Sequence, residues 1–254
     1  MARLARVFAM LSCALGAWGC ADNPYWIGQR RDHGAPDAAV DECPADALVC
    51  SGFEAEQLRD EWPETHLENS AEVARSRARA HSGVASLRAQ SSGANSVAVV
   101  TARFAPLRSG TLYLRAYLYV PDQQPTETMN VFFLGSRPDP DPDPFVGMDI
   151  NLEQGALQLF SPQAQPRRQT GSYRIPRDRW FCLRAEIELG DGSQVSLFVD
   201  DQLALRATGV DSVPPEGVSM LRAGVDWSSE QEASFELFID DLALDTSPLA
   251  CLTD

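Results

Sequence analysis

Between Ser96 and Leu244, apolar residues recur at every second position in one short segment after another. Clusters of Gly, Pro, Asp and Ser cut these segments apart. They include SVAVVTARF (96–104), TLYLRAYLYV (111–120), NVFFLG, GMDINL, ALQLF, WFCLRAEIEL (180–189), QVSLFV, QLALRAT, SMLRAGVD and SFELFIDDLAL (234–244). A two-residue period sends alternate side chains to opposite faces of a strand. Short strands at this spacing, with turn residues between them, predict an all-β fold of two antiparallel sheets. Helical periodicity is nearly absent. AEVARSRARA (71–80) is the one stretch that reads as a loop or short helix, and it has no continuous apolar stripe.

The alternation also sorts residues by face. In TLYLRAYLYV, Leu112, Leu114, Ala116, Leu118 and Val120 are assigned to the core, and Thr111, Tyr113, Arg115, Tyr117 and Tyr119 to the opposite face. In WFCLRAEIEL, Phe181, Leu183, Ala185, Ile187 and Leu189 point inward, while Trp180, Cys182, Arg184, Glu186 and Glu188 point out.

The N-terminus reads as an export signal. Arg3 and Arg6 precede an apolar run from Val7 to Trp18 that is too short for a stable membrane span. Ala17-Trp18-Gly19-Cys20 resembles the bacterial lipoprotein box, which implies that Cys20 becomes a lipidated N-terminus. Ordinary cleavage and secretion is the alternative. Residues 1–19 are then the signal peptide, and 20–47, polar and without apolar period, a lipid-anchored tether. Residues 48–254 form one sandwich domain. The expected location is the cell envelope, as an outer-membrane lipoprotein facing the periplasm or the cell surface.

The formal net charge is −15, and loss of Arg3 and Arg6 makes the mature chain two charges more negative. Such a chain repels nucleic acid and anionic lipid surfaces, which leaves the lipid anchor as its only membrane contact. Every basic residue other than histidine is arginine, so Schiff-base and P-loop lysine chemistry are excluded. Cys43, Cys50, Cys182 and Cys251 remain after Cys13 and Cys20, an even number in an oxidising compartment, and predict two disulfides. Of the three pairings, Cys43 with Cys50 and Cys182 with Cys251 is preferred. Zinc is disfavoured, because there is no CxxC and His33, His66 and His81 are scattered.

SGFE (51–54), HSGVASLR (81–88), RDRWFCLRAEIEL with GSQVSLFVDDQLAL, and ELFIDDLAL occur in an order that resembles the concanavalin A-like lectin/glucanase group, including LamG-type domains. The resemblance implies a jelly-roll sandwich whose concave sheet binds glycan. Within that frame Tyr113, Arg115, Tyr117, Tyr119, Asn151, Arg184 and Glu186 are the candidate ligand-binding residues. Asp149, Gln158, Arg222 and Asp226 could join them from neighbouring strands. Aromatic rings stack on the apolar faces of sugars, and Arg, Asp and Asn bond hydroxyls.

No catalytic residue is assigned. Glu186 and Glu188 lack the further spaced acids of the group's glucanases, and the Gln-x-His motif of alginate-lyase-like families is absent. Gly-x-Ser-x-Gly and HExxH are also missing. No cofactor is expected, although Asp139, Asp141 and Asp143 in RPDPDPDPF could hold calcium, as LamG-type domains often do. The leading expectation is a glycan-binding envelope lipoprotein. The alternatives are an extracellular polysaccharide lyase or glycoside hydrolase, and a non-catalytic adhesive or structural envelope protein. Only the last expects the tyrosine face to be covered by protein.

Overall fold

The computed structural model describes residues 43–122, 128–136, 146–162, 164–229 and 234–252. Cys20, most of the tether and the Asp139–Asp143 run lie outside them. The strands are β1 (Val49–Ser51), β2 (Glu64–Glu68), β3 (Glu72–Ser76), β4 (Ser86–Gln90), β5 (Val97–Leu107), β6 (Gly110–Tyr119), β7 (Met129–Ser136) and β8 (Val146–Glu153). They continue as β9 (Ala156–Phe160), β10 (Arg168–Arg174), β11 (Trp180–Leu189), β12 (Ser193–Val199), β13 (Gln202–Val210), β14 (Val218–Ser228) and β15 (Glu236–Asp245). One sheet has eight strands in the order β13-β12-β11-β6-β15-β4-β3, with β1 added on β15. The other has seven, β10-β9-β8-β7-β14-β5-β2. All pairs are antiparallel.

The predicted inward residues form the layer between the sheets. Leu112, Leu114, Ala116 and Leu118 of β6 meet Phe181, Leu183, Ala185 and Ile187 of β11 in one continuous core with Phe132, Leu134, Ile150, Leu157 and Leu221 of the opposite sheet. Burial of these apolar side chains drives the two sheets together. Among the described residues no helix is long and apolar enough to cross a membrane.

Of the stretch read as loop or helix (71–80), Glu72–Ser76 form strand β3 and 77–80 are loop. Val73 opposes Ala89 on β4 and Arg75 opposes Leu87, so an available sheet edge outweighs weak local propensity. His66 stands in β2 opposite Val99. Asp200 and Asp201 form the two-residue turn between β12 and β13, both at positive φ (47° and 61°), as a hairpin with the right-handed twist requires. At Asp241 (φ 44°) the pairing of β15 with β6 shifts register. Both disulfides form with the expected partners, Cys43–Cys50 and Cys182–Cys251. The first attaches Cys43 to the sandwich, and Ala47 is buried, so the end of the predicted tether already belongs to the domain.

Candidate functional site

A sandwich has two outer faces, and the sequence-predicted residues divide between them. On the eight-stranded sheet, register places Tyr113 beside Glu186, Arg115 beside Arg184, Tyr117 beside Cys182 and Tyr119 beside Trp180. These six predicted residues, Tyr113, Arg115, Tyr117, Tyr119, Arg184 and Glu186, do share a face. Asn151 does not, because β8 belongs to the other sheet and its polar side points away from the core on the far side of the molecule.

Tyr113 and Glu186 stay partly exposed, but the Tyr117–Tyr119 end of this face is covered by the chain itself. Beyond β15 the C-terminal segment crosses β6 and β11, bolted down by Cys182–Cys251. The Tyr117 hydroxyl donates to the Leu252 carbonyl (3.0 Å), Arg115 Nη1 to that of Ala250 (3.5 Å) and Arg184 Nη1 to that of Leu249 (3.2 Å). The His81 ring stacks on Tyr117 with centroids 3.4 Å apart, and the Arg79 guanidinium lies 4.0 Å over the Tyr119 ring. The Tyr119 hydroxyl donates to Asp178 (3.0 Å); burial, then this bond, raises its pKa. Tyr117 and Tyr119 are left 6% and 7% exposed, and His81 and Arg79 occupy the ring faces on which a sugar would stack. What stays open is a depression of about 460 Å³ beside the disulfide, between Trp180, Arg179, Asp200 and Asp201.

The outer face of the seven-stranded sheet is built differently. Reading the register across it gives one row of Arg168, Phe160, Asp149, Phe133, Arg222, Thr101 and Glu64. A parallel row carries Thr170, Gln158, Asn151 and Asn130. Gly135 and Gly147 face each other beside the first row. A Cβ on either would lie within 2.8 Å of the tip of the Phe133 ring, so the two glycines let that ring fold flat onto the sheet.

At the centre, Arg222 Nη1 bonds Asp226 Oδ1 at 2.8 Å, with both side chains almost wholly buried. Burial, and secondarily the Asp226 charge, pushes the Asp149 carboxyl up to about 7 against the opposing pull of Arg222. Burial also raises Asp226, while Arg222 and His66 oppose the rise. Asn151 Nδ2 donates to Gln158 Oε1 (3.1 Å), and Gln158 Nε2 to Thr170 Oγ1 (3.2 Å). Asn151 Oδ1 is buried with no hydrogen-bond partner among the described residues. At the β2 edge His66 Nε2 lies 2.8 Å from Glu68 Oε1. This face sets an arginine, amides, a protonatable carboxyl and aromatic rings on one plane, with Asn151, Gln158, Arg222 and Phe133 closely packed (2–5% exposed) and Thr170 and Arg168 open to solvent. These are the groups that satisfy a sugar's hydroxyls and its apolar face. Among the described residues no cluster of His, Cys, Asp and Glu has the arrangement of a metal site.

Sequence reasoning names Asp149, Asn151, Gln158, Arg222 and Asp226 but sets them beside the tyrosines. It misses Phe133, Phe160, Thr101 and His66. The first two are ordinary strand formers by pattern, and His66 lies in a strand with little apolar alternation to reveal it.

No family model matches the sequence, and no curated protein matches it. The likeness lies in three dimensions and defines the class: a concanavalin A-like jelly-roll sandwich. The fold is similar to that of endo-β-1,4-glucuronan lyase from the fungus Trichoderma reesei, with a TM-score of 0.58 over 73% of this chain and 91% of that one, at 13% identity. It is also similar to the cellulose induced protein Cip1, with a TM-score of 0.60 over 80% and 99% of the two chains, at 14% identity.

Proposed function

We propose that this is an exported polysaccharide-binding protein whose binding surface is the outer face of the seven-stranded sheet, around Asn151, Gln158, Asp149 and Arg222. The observation that carries the reading is the line Asn151–Gln158–Thr170 beside the Arg222–Asp226 pair, with the Asn151 carbonyl left unbonded in a buried position. Unsatisfied buried polar groups are costly, and a ligand hydroxyl would relieve the cost once the Asn151 side chain, 2% exposed here, turns toward the face. Two formed disulfides fit an exported protein. Export is completed by cleavage before Cys20 and lipidation there; Cys20→Ser should move the protein from the membrane to the soluble fraction.

The binding test uses the mature protein on a panel of neutral and acidic polysaccharides. Asn151→Ala and Gln158→Ala should each weaken binding about fivefold to tenfold, as loss of one hydrogen bond implies. Tyr117→Ala should leave it unchanged. A blank panel, or binding that only Tyr117→Ala disturbs, overturns the proposal.

One observation favours a catalytic version. A carboxyl held at about 7 can act as acid or base near neutral pH, and Asp149 shares its row with the Arg222 guanidinium, one strand beyond Phe133. A lyase would raise absorbance through its unsaturated uronate product, and a hydrolase would release reducing ends. Either activity should disappear in Asp149→Asn.

A further inference from the structure

The sequence places Arg167, Arg168, Arg174, Arg177 and Arg179 within one short stretch, against the single acid Asp178, in a chain of net charge −15. The structure turns part of that stretch into β10, the edge of the seven-stranded sheet. Its alternation is clean. Gln169, Gly171 and Tyr173 lean inward, while Arg168, Thr170, Ser172 and Arg174 are exposed. Register sets Arg168 beside Phe160, Thr170 beside Gln158 and Arg174 beside Ala156, so both arginines flank the rows of the proposed binding face.

Among the described residues their partners are neutral. The Arg168 guanidinium lies 5.5 Å over the Phe160 ring, and Arg174 donates to the Gln154 carbonyl. Each contact positions the guanidinium and leaves further N–H donors on it. Glu64 and Glu68 stand at the opposite edge, on β2. Those two are engaged, Glu64 with Arg103 (2.9 Å) and Glu68 with His66 (2.8 Å). Arg222 in the middle is paired with Asp226, which leaves β10 as the edge where arginines have no acidic partner among the described residues.

We infer that the ligand is an acidic polysaccharide, and that Arg168 and Arg174 fix its anionic groups along β10 while its hydroxyls reach Gln158 and Asn151. The inference rests on the proposed binding face and adds the class of ligand. The two arginines stand roughly 20 Å apart along the strand, which suits a polymer with repeated charges better than one sugar. The excess negative charge elsewhere repels such a polymer at a distance, but it is screened beyond about 8 Å at physiological salt, so contact is decided locally.

The test titrates the mature protein with three probes of similar length: a β-1,4-linked oligoglucuronate, a sulfated dextran and a neutral β-glucan. Arg168→Gln with Arg174→Gln is compared with a control pair on other strands and loops, Arg108→Gln with Arg206→Gln. The expected result is that an anionic probe binds at least about tenfold tighter than the neutral one. That advantage should vanish in Arg168→Gln/Arg174→Gln and persist in the control, as loss of two exposed charge pairs implies. Which anionic probe binds tells carboxylate from sulfate.

Equal loss in both double variants would mean unspecific charge attraction and overturn the inference. Neutral glucan binding as tightly, with Arg168→Gln/Arg174→Gln unaffected and Asn151→Ala weakened, would also overturn it while the binding face stands. Silence from all three probes overturns the acidic ligand together with the face.

Discussion

Asp240 is fully buried, and burial, with the neighbouring Asp241 charge, pushes its carboxyl up to about 8. Backbone N–H groups of His81 (2.7 Å), Ser82 (3.3 Å) and Asp241 (2.9 Å) donate to it and oppose that rise. A carboxyl whose folded value lies above its unfolded value near 4 favours folding while it is protonated. Its contribution is whole below the unfolded value and is lost as pH rises through about 8. Asp149, raised to about 7, acts with the same sign at a lower pH. The melting temperature should therefore fall between about pH 4 and about pH 8, at about 2–4 °C per kcal/mol for a chain of this size. Asp240→Asn should flatten that decline up to about pH 8, and Asp149→Asn only up to about pH 7. Calorimetry across the range reads both, and an unchanged slope in Asp240→Asn would place the proton elsewhere. As a turn and register signal the Asp240-Asp241 pair is legible in the sequence, since Asp tolerates positive φ. Its burial is not, because that depends on the His81 loop closing over it from the far end of the chain.

At the scale of elements, strands such as β6 and β11 are legible because each carries its own alternation of core and surface. β2, β3 and β10 are not. Every residue of β2 is exposed and β3 has no fully buried one, so these edges are specified by the neighbours that template them. The C-terminal segment escapes a pattern reading for a similar reason. It has no period, and only the pairing of Cys182 with Cys251 hints that it lies back across β11. That disulfide closes a loop with a sequence separation of 69. Replacing both cysteines by serine should cost about 2–4 kcal/mol of stability by the loop-closure argument. It should also free the strap that holds the Arg115, Tyr117 and Arg184 donors. Rising exposure of Tyr117 to solvent perturbation, together with faster amide exchange in 246–252, would report that release. A double variant with wild-type stability and exchange would show that hydrogen bonds alone hold the segment.

Across the whole molecule, alternation tells which side chains leave the core but not which of two sheets carries them. That is why the architecture is legible while the grouping of Asn151 with Tyr113–Tyr119 is not: strand order arises from long-range pairing that no local window contains. The core separates the two outer faces, with packed sheets standing about 10 Å apart, so events on one side reach the other only through the core. This makes the site assignment testable without knowing the ligand in advance. Cys182→Ser with Cys251→Ser disturbs the tyrosine face and leaves the Asn151–Gln158–Thr170 line untouched, whereas Gln158→Ala does the reverse. If binding belongs to the seven-stranded face, the cysteine variant, assayed well below its melting temperature, should keep its Kd within about twofold, the scatter expected of distant, independent sites. Gln158→Ala, assayed likewise well below its melting temperature, should weaken binding and cost about 1–3 kcal/mol of stability, because Gln158 is buried and its loss leaves the Asn151 amide without its acceptor. The opposite pattern, with affinity lost on freeing the strap and kept in Gln158→Ala, would return the site to the depression between Trp180 and Asp201.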